Sequence, residues 1–186
     1  IERAIEEIAK LNVAVIGEPI MDIYRFVVPE GISSKSPSIS ARFQYQETYE
    51  GGALAITNHL EGFAKSVRGH YGYRIAKKIR YLSNSQRIFE VTEIDATPKP
   101  DEFFCDKMIE LAAKSDVAVV ADFGHGLFDN LALSALADVP CFMGLNVQTN
   151  SSNFGFNPFT RHTSFDYLCI DTKEARLALH DRYTAP

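Results

Sequence analysis

Short apolar segments that alternate with helical segments constrain the fold of this chain more than any other feature. Residues 13–17 read Val-Ala-Val-Ile-Gly and residues 117–121 read Val-Ala-Val-Val-Ala, with no charged side chain in either run. Strands that are apolar on both faces are typical of a parallel sheet covered by helices. The pattern predicts an α/β domain with a mostly parallel, doubly wound sheet flanked by helices.

The remaining elements of the sheet domain follow from the same periodicities. An amphipathic helix at the amino terminus should pack one face on the domain, whereas residues 68–73 have no clear period and indicate a loop. Further elements are predicted as helices near residues 53–65, 103–114, 130–137, 156–162 and 173–180, and as strands at 141–147 and 167–170.

Polar and apolar residues alternate, with many aromatic and β-branched side chains, in the segments 24–28 and 38–49. Such alternation is typical of antiparallel strands with one wet face. Residues 75–81 and 87–94 predict a β-hairpin that turns at Ser83-Asn84-Ser85. We therefore predict a small antiparallel β lid, with strands at about 24–49 and 75–94, added to the parallel sheet.

The composition excludes several classes of protein. The chain has 186 residues and a net charge of −5, without a Lys/Arg cluster, so a nucleic-acid or membrane-surface partner is not expected. No apolar run is long enough to cross a bilayer. Three widely spaced cysteines predict buried free thiols in a reducing compartment, hence a cytoplasmic protein, and the spacing of the five histidines predicts no metal site.

Gly51 and Gly52 directly precede the helix predicted from residue 53. Backbone N–H groups at such a junction can approach a ligand without interference from a Cβ atom. Taken alone, the pair favours a tight turn before a packed helix.

Acidic or amide residues follow four predicted strands, and these residues are Asp22, Asp122, Asn146 and Asp171. In a doubly wound sheet the carboxyl ends of the strands lie along one edge, so the four side chains should converge there. Together with glycine-bearing helix starts, they suit a polyhydroxylated substrate and a phosphate. A purely structural α/β domain is the alternative, and His125, between two glycines, is expected to be a surface histidine that could contact a phosphate.

Five segments in register resemble the ribokinase-like carbohydrate kinases of the phosphofructokinase-B group. They read VAVIGEPIMD, GISSKSPSISA, YEGGALAITNHL, ADFGHGLF and YLCIDTKEARL, and the likeness is greatest to the heptose-7-phosphate kinase domain of bifunctional heptose kinase/nucleotidyltransferases. The resemblance implies ATP- and Mg²⁺-dependent phosphoryl transfer to the hydroxyl of a sugar or sugar phosphate.

The resemblance also implies roles for individual residues. Asp22, Gly51 and Gly52 match the sugar-binding positions, and Ala55 stands where the family often has a sugar-binding asparagine. Asn146, Asp171 and Glu174 fall on the phosphate and Mg²⁺ side, without a direct metal ligand among them. Asp171 replaces the asparagine of the family's N-x-x-E motif, and Glu174 also suits the helix dipole whatever its role.

The family's G-A-G-D motif, which supplies the anion hole and the catalytic base, is expected beyond Pro186. Residues 1–186 are accordingly expected to form part of a ribokinase-like domain, excised from a longer protein, without the C-terminal part of the fold. Residues 67–75 are too short for the strand and helix that the family places there.

Three functions therefore remain open. The first is the substrate-binding and lid part of a sugar kinase, and the second is a non-catalytic sugar- or nucleotide-binding regulatory domain attached to another enzyme domain. The third is a module that forms homodimers through the lid strands.

Overall fold

The computed structural model describes residues 2–94, 99–151 and 153–183. The elements in chain order are α1 (Glu2–Ile8), β1 (Asn12–Gly17), β2 (Pro19–Ile32), β3 (Ile39–Gly52), α2 (Ala53–Leu60), β4 (Ser66–Tyr71), β5 (Ala76–Ser83), β6 (Gln86–Ile94), α3 (Glu102–Ala113), β7 (Val117–Asp122), α4 (Asn130–Leu136), β8 (Phe142–Val147), a 3₁₀ turn (Phe159–Arg161), β9 (Tyr167–Cys169) and α5 (Thr172–Ala178). Within these ranges no helix is both long and apolar enough to cross a membrane.

The main sheet has five strands in the order β4-β1-β7-β8-β9, and every neighbouring pair is parallel. Alternate residues of β1 point to opposite faces. Ala14 and Ile16 join a core cluster with residues of α3 and α4, while Val13 and Val15 join a second cluster with residues of α2. Burial on both faces explains why β1 and β7 are wholly apolar. The predicted α/β fold class is therefore confirmed.

A second sheet of four strands, in the order β3-β2-β5-β6, forms the lid. β2 pairs antiparallel with β3 and parallel with β5, and β5 pairs antiparallel with β6. The lid strands are longer than the alternating segments in the sequence, because β2 begins at Pro19 and β3 continues to Gly52. Only Glu18 separates the lid from strand β1.

Several predicted elements were wrong. The loop predicted at residues 68–73 is wrong for residues 68–71, since Ser66–Tyr71 is strand β4. Its backbone pairs with β1 although Arg68 and Gly69 are exposed at the sheet edge. Residues 67–75 were predicted to be too short for both a strand and a helix. The structure has the strand β4 in this part of the chain, without a helix before β5. The helix predicted near 156–162 is only the 3₁₀ turn that follows Pro158, and α2 ends at Leu60. Helix α1 buries no residue, so its apolar side is not packed as expected.

Gly17 allows the close approach of β1 and β7. A Cβ atom at Gly17 would lie 2.5 Å from the carbonyl oxygen of Ala121, a backbone atom that cannot rotate away. We expect Gly17→Ala to lower the free energy of unfolding by about 1–3 kcal/mol, measured by urea denaturation.

Gly144→Ala in β8 is the matched control, because nothing lies within 4 Å of its added Cβ atom. This variant should unfold at nearly the wild-type urea concentration. Equal destabilisation of the two variants would show that the contact with Ala121 is not the cause.

Candidate functional site

The carboxyl ends of β1, β7, β8 and β9 lie along one edge of the sheet, because all four strands are parallel. Adjacent strands are about 4.8 Å apart, so the ends of β1 and β9 are roughly 14 Å apart. Asp122, Asn146 and Asp171 lie at this edge, as predicted. Asp22 does not end a core strand, because the chain continues past Pro19 as β2 and carries Asp22 into the lid.

Asp22 lies on a charged face of the lid. Its carboxylate accepts a hydrogen bond from Nη1 of Arg80, and Nε of Arg80 lies 2.9 Å from Oε2 of Glu90. The Arg80 guanidinium also lies over the Tyr24 ring, 5.3 Å from the ring centroid. The Asp22 side chain is 23% exposed. Asp22 is thus oriented by Arg80 while part of its carboxylate still meets solvent.

The glycine pair forms the junction between β3 and α2 rather than a separate turn. A Cβ atom at Gly51 would lie 2.3 Å from Oδ2 of Asp22, so Gly51 makes room for that carboxylate. Gly52 has φ of 60° at the N-cap position of α2, a backbone conformation that suits glycine. The N–H of Ala53 donates to the carbonyl of Glu18 at 3.0 Å, and Ala55 is exposed in the first turn.

Glu18 is a buried carboxylate that the sequence interpretation missed. Its oxygens accept hydrogen bonds from the backbone N–H groups of Phe123, His125 and Leu127, at 2.8, 3.0 and 2.8 Å. Glu18 thereby fixes the loop that follows β7. An acid placed directly after a wholly apolar strand was the available signal, but the neighbouring proline favoured an interpretation as a strand break.

The sequence predicted a surface histidine at position 125, but His125 is buried. Neither of its ring nitrogens has a hydrogen-bond partner in the described part of the chain. Burial, assisted by the charge of Lys78, lowers the pKa of His125 to about 4. His125 is therefore neutral at pH 7.

Burial, with the nearby charge of Asp122, raises the pKa of Glu18 to about 7, against the opposing effect of the three backbone N–H donors. Nδ1 of His125 lies 3.9 Å from Oε2 of Glu18. Because the histidine is neutral, this contact is not an ion pair at neutral pH.

Asp122 is almost fully buried, with 1% of its surface exposed. One carboxylate oxygen accepts from Gly124 N and Asn157 Nδ2, both at 2.9 Å, and the other lies 2.9 Å from Nε2 of His162. Through these contacts Asp122 stabilises the loop after β7. Its direct contact with a ligand stays a prediction.

Asn146, Asp171 and Glu174 form a second group at the other end of the edge. Nδ2 of Asn146 donates to the Cys169 carbonyl at 2.8 Å. Asp171 and Glu174 make reciprocal hydrogen bonds with each other's backbone N–H, a capping box for α5. Oε1 of Glu174 also accepts from Thr149 N at 2.9 Å. The group therefore ties α5 to the loop after β8.

Mg²⁺ has no preformed set of protein ligands in the described residues, since no cluster of three or more His, Cys, Asp or Glu side chains there could hold a metal. The Asp171 and Glu174 carboxylates already accept backbone N–H groups. These residues do not fit direct coordination, and Mg²⁺ bound here would have to be held mainly by nucleotide phosphates and water.

No protein-family profile and no curated protein sequence matches the chain. Its fold is similar to solved structures of sugar kinases. A point mutant of phosphofructokinase-2 from Escherichia coli matches with a TM-score of 0.60 at 8% identity, over 95% of this chain and 66% of that chain. That enzyme in complex with fructose-6-phosphate gives 0.58 at 8% identity over 95% and 66%, and a carbohydrate kinase from Agrobacterium tumefaciens gives 0.50 at 10% over 90% and 62%.

The chain thus spans between 62% and 66% of the length of these structures. At such low identity the comparison establishes the fold, which is the ribokinase-like fold of the phosphofructokinase-B type kinases. The finer likeness to heptose-7-phosphate kinases stays a prediction.

The raised pKa of Glu18 predicts a decrease in stability with rising pH. The folded chain keeps this proton up to about pH 7, whereas the unfolded chain releases it near the ordinary value of 4.5. The contribution of Glu18 to stability should therefore fall as the pH rises from about 4.5 to about 7, and it should be nearly gone at pH 8. His125, whose pKa is lowered, acts in the opposite direction between about pH 4 and 6.5. The net fall in stability, on the order of 1 kcal/mol, should therefore be clearest between about pH 6.5 and 8.

Urea denaturation of wild type and Glu18→Gln at several pH values would test this. The variant should be about 1–3 kcal/mol less stable, since the glutamine NH₂ group faces backbone N–H donors, and its pH slope should disappear. Glu93→Gln, which removes an exposed carboxylate, should keep the wild-type slope. A slope that survives in Glu18→Gln would contradict the assignment.

Proposed function

We propose that this chain, which has the fold of ribokinase-like sugar kinases, forms the acceptor-binding and lid part of an ATP-dependent carbohydrate kinase. The observation that carries the proposal is the oriented Asp22 carboxylate, packed against Gly51 and partly open to solvent. The proposed acceptor is a sugar or sugar phosphate. The more specific proposal for this acceptor is a heptose phosphate.

The position of Asp22 supports a role in binding hydroxyl groups. The Arg80 guanidinium holds the carboxylate in place, and an ionised carboxylate accepts hydrogen bonds only. Sugar hydroxyls can donate to the lone pairs that Arg80 does not use. Gly51 and Gly52 would let the ring of the sugar approach the backbone beside α2.

We assign fewer residues to the binding of ATP and Mg²⁺ and to catalysis. Bound ATP with Mg²⁺ would supply the phosphoryl group, and Asn146, Asp171 and Glu174 would shape the edge on the triphosphate side. The proposal places no catalytic base among the described residues. Their role is to bind and orient the acceptor and to exclude water from it under the lid.

Asp22→Asn should lower sugar affinity with little loss of stability. The substitution removes a charge-assisted acceptor, which is worth roughly 1.5–3 kcal/mol, or about 10- to 150-fold in affinity. Arg80 keeps Glu90 as a partner, so the lid should stay folded. The measurement is calorimetric binding of hexoses, hexose phosphates and heptose phosphates, with ATP turnover assayed on the same panel.

Glu90→Gln is the matched control, because it removes the other carboxylate partner of Arg80 and leaves Asp22 in place. Its sugar affinity should stay near wild type. If both variants bind the whole panel as wild type does, or if wild type binds none of these sugars, the assignment of Asp22 fails.

A non-catalytic regulatory domain is the alternative. Ala55 offers no polar group to a sugar, and the capping box already engages Asp171 and Glu174. Sugar or nucleotide binding without any turnover would favour this alternative.

A lid-mediated homodimer is a further proposal, which the second face of the lid supports. Adjacent residues of a strand point to opposite faces, so Val27, Phe43 and Phe89 lie on the face away from Asp22. This apolar face borders a cleft of about 510 Å³. Phe43 and Phe89 are 58% and 51% exposed, and exposed apolar patches often mark contacts with another protein.

We expect wild type to sediment as a dimer and Phe43→Asp to sediment as a monomer at the same concentration. A carboxylate at the centre of an apolar contact would be buried without a partner. Phe103→Asp, which changes a 65% exposed phenylalanine of α3, should remain dimeric. A monomeric wild type would refute the interface.

A further inference from the structure

A small cavity lies beside the loop that follows β7, and the proposed function does not use it. Glu18, Gly72 and Leu127 line the cavity together with His125, and its volume is about 10 Å³. A cavity of roughly 10–15 Å³ is large enough for one water molecule, provided that about two to four polar groups can bond to it. The cavity is far too small for a sugar or a nucleotide, so any ligand in it is separate from the proposed acceptor.

The two polar side chains that line the cavity are deeply buried. The side chains of His125 and Glu18 are 3% and 4% exposed. Within residues 2–94, 99–151 and 153–183, neither ring nitrogen of His125 has a hydrogen-bond partner. A buried polar atom without a partner loses its hydration and gains nothing in return. The ring of His125 therefore favours a small molecule that can bond to it in the cavity.

The distance between the two side chains suits a bridging water. Nδ1 of His125 lies 3.9 Å from Oε2 of Glu18, which is too long for a direct hydrogen bond. Polar atoms at such a separation are commonly linked through a water molecule. Oε2 of Glu18 accepts two backbone N–H groups, whereas Oε1 accepts only that of Leu127. Oε1 is thus the oxygen with more room for a proton or for a bond to water.

We propose that the cavity binds one water molecule, which links the carboxyl group of Glu18 to Nδ1 of His125, and that these hydrogen bonds reverse direction when Glu18 ionises. While Glu18 carries its proton, the acid donates to the water and the water donates to Nδ1, so the ring proton is on Nε2. After that proton has left to solvent, Nδ1–H donates to the water and the water donates to the carboxylate. The imidazole is neutral in both states and changes only its tautomer.

The charges around the pair allow this change near neutral pH. Burial and the charge of Asp122 raise the pKa of Glu18 to about 7. Burial and the charge of Lys78, a residue of β5, lower the pKa of His125 to about 4, against the opposing effect of Asp122. From about pH 5.5 to 8.5, Glu18 therefore changes its charge while His125 does not. Two further polar side chains line the cavity, Tyr73 and Arg74.

The test is the ¹⁵N NMR spectrum of the histidine rings in the uniformly labelled chain, recorded from about pH 5.5 to 8.5. The ring nitrogen that carries hydrogen differs strongly in chemical shift from the one that does not, so the spectrum identifies the tautomer. We expect Nδ1 and Nε2 of His125 to exchange their shifts with a midpoint near pH 7. In Glu18→Gln the tautomer should be the same throughout this range, because the carboxyl group that titrates is gone.

The water itself can be observed in the same sample. A long-lived water in the cavity should give cross-relaxation to the backbone N–H of Leu127, which lines the cavity. The signal should be lost in His125→Leu, because a leucine offers the water no hydrogen bond.

The stability of His125→Leu separates the proposed link from a histidine that is merely unsatisfied. Replacing a buried ring that has no partner with an apolar side chain should leave stability unchanged or raise it. Loss of a ring that is linked through water to Glu18 should instead lower the urea midpoint. His59→Leu is the matched control, because it changes an exposed histidine of α2 and should unfold at the wild-type midpoint.

The proposal is overturned if wild-type His125 keeps one tautomer over the whole pH range, or if the exchange of tautomers survives in Glu18→Gln. It is also overturned if His125→Leu is as stable as the wild type. The wild-type spectrum and the stability of His125→Leu decide the matter even if Glu18→Gln does not fold. None of these measurements uses a sugar or ATP, so the result is independent of the kinase proposal.

Discussion

The arrangement of the site depends on one buried carboxylate. Glu18 leaves the end of β1 and accepts three backbone N–H groups of the loop that follows the neighbouring strand β7. Without these bonds, the three N–H groups would be buried without partners, each at a cost of about 1–3 kcal/mol. The loop therefore has one favoured shape, and that shape determines where His125 and Gly126 lie.

Acidic and basic side chains have different roles near the carboxyl ends of the parallel strands. Glu18, Asp122, Asp171 and Glu174 accept backbone or side-chain donors and hold loops and helix ends together. Lys78, Lys99 and Arg161 are at least partly exposed. A protein with net charge −5 therefore still has basic groups in contact with solvent.

Much of the fold could be predicted, because buried strands carry a strong local signal. β1 and β7 are apolar on both faces, and the hairpin of β5 and β6 shows clear alternation. β4 was missed because an edge strand tolerates polar residues, so its pattern is that of a loop.

The site was harder to predict than the fold. A carboxylate after a strand correctly indicated the sheet edge for Asp122 and Asp171, but not for Asp22, which the chain carries into the lid. Such roles depend on partners that are distant in sequence, such as Arg80 and His162.

The short connection between the core and the lid has a mechanical consequence. Glu18 is the single residue between β1 and β2, and its carbonyl accepts the N–H of Ala53, the first residue after the lid strand β3. Glu18 therefore links β1, the start of the lid, α2 and the loop after β7 at one point. A displacement of the lid strand β2 at this point would be transmitted to the loop after β7, so the positions of the two are coupled.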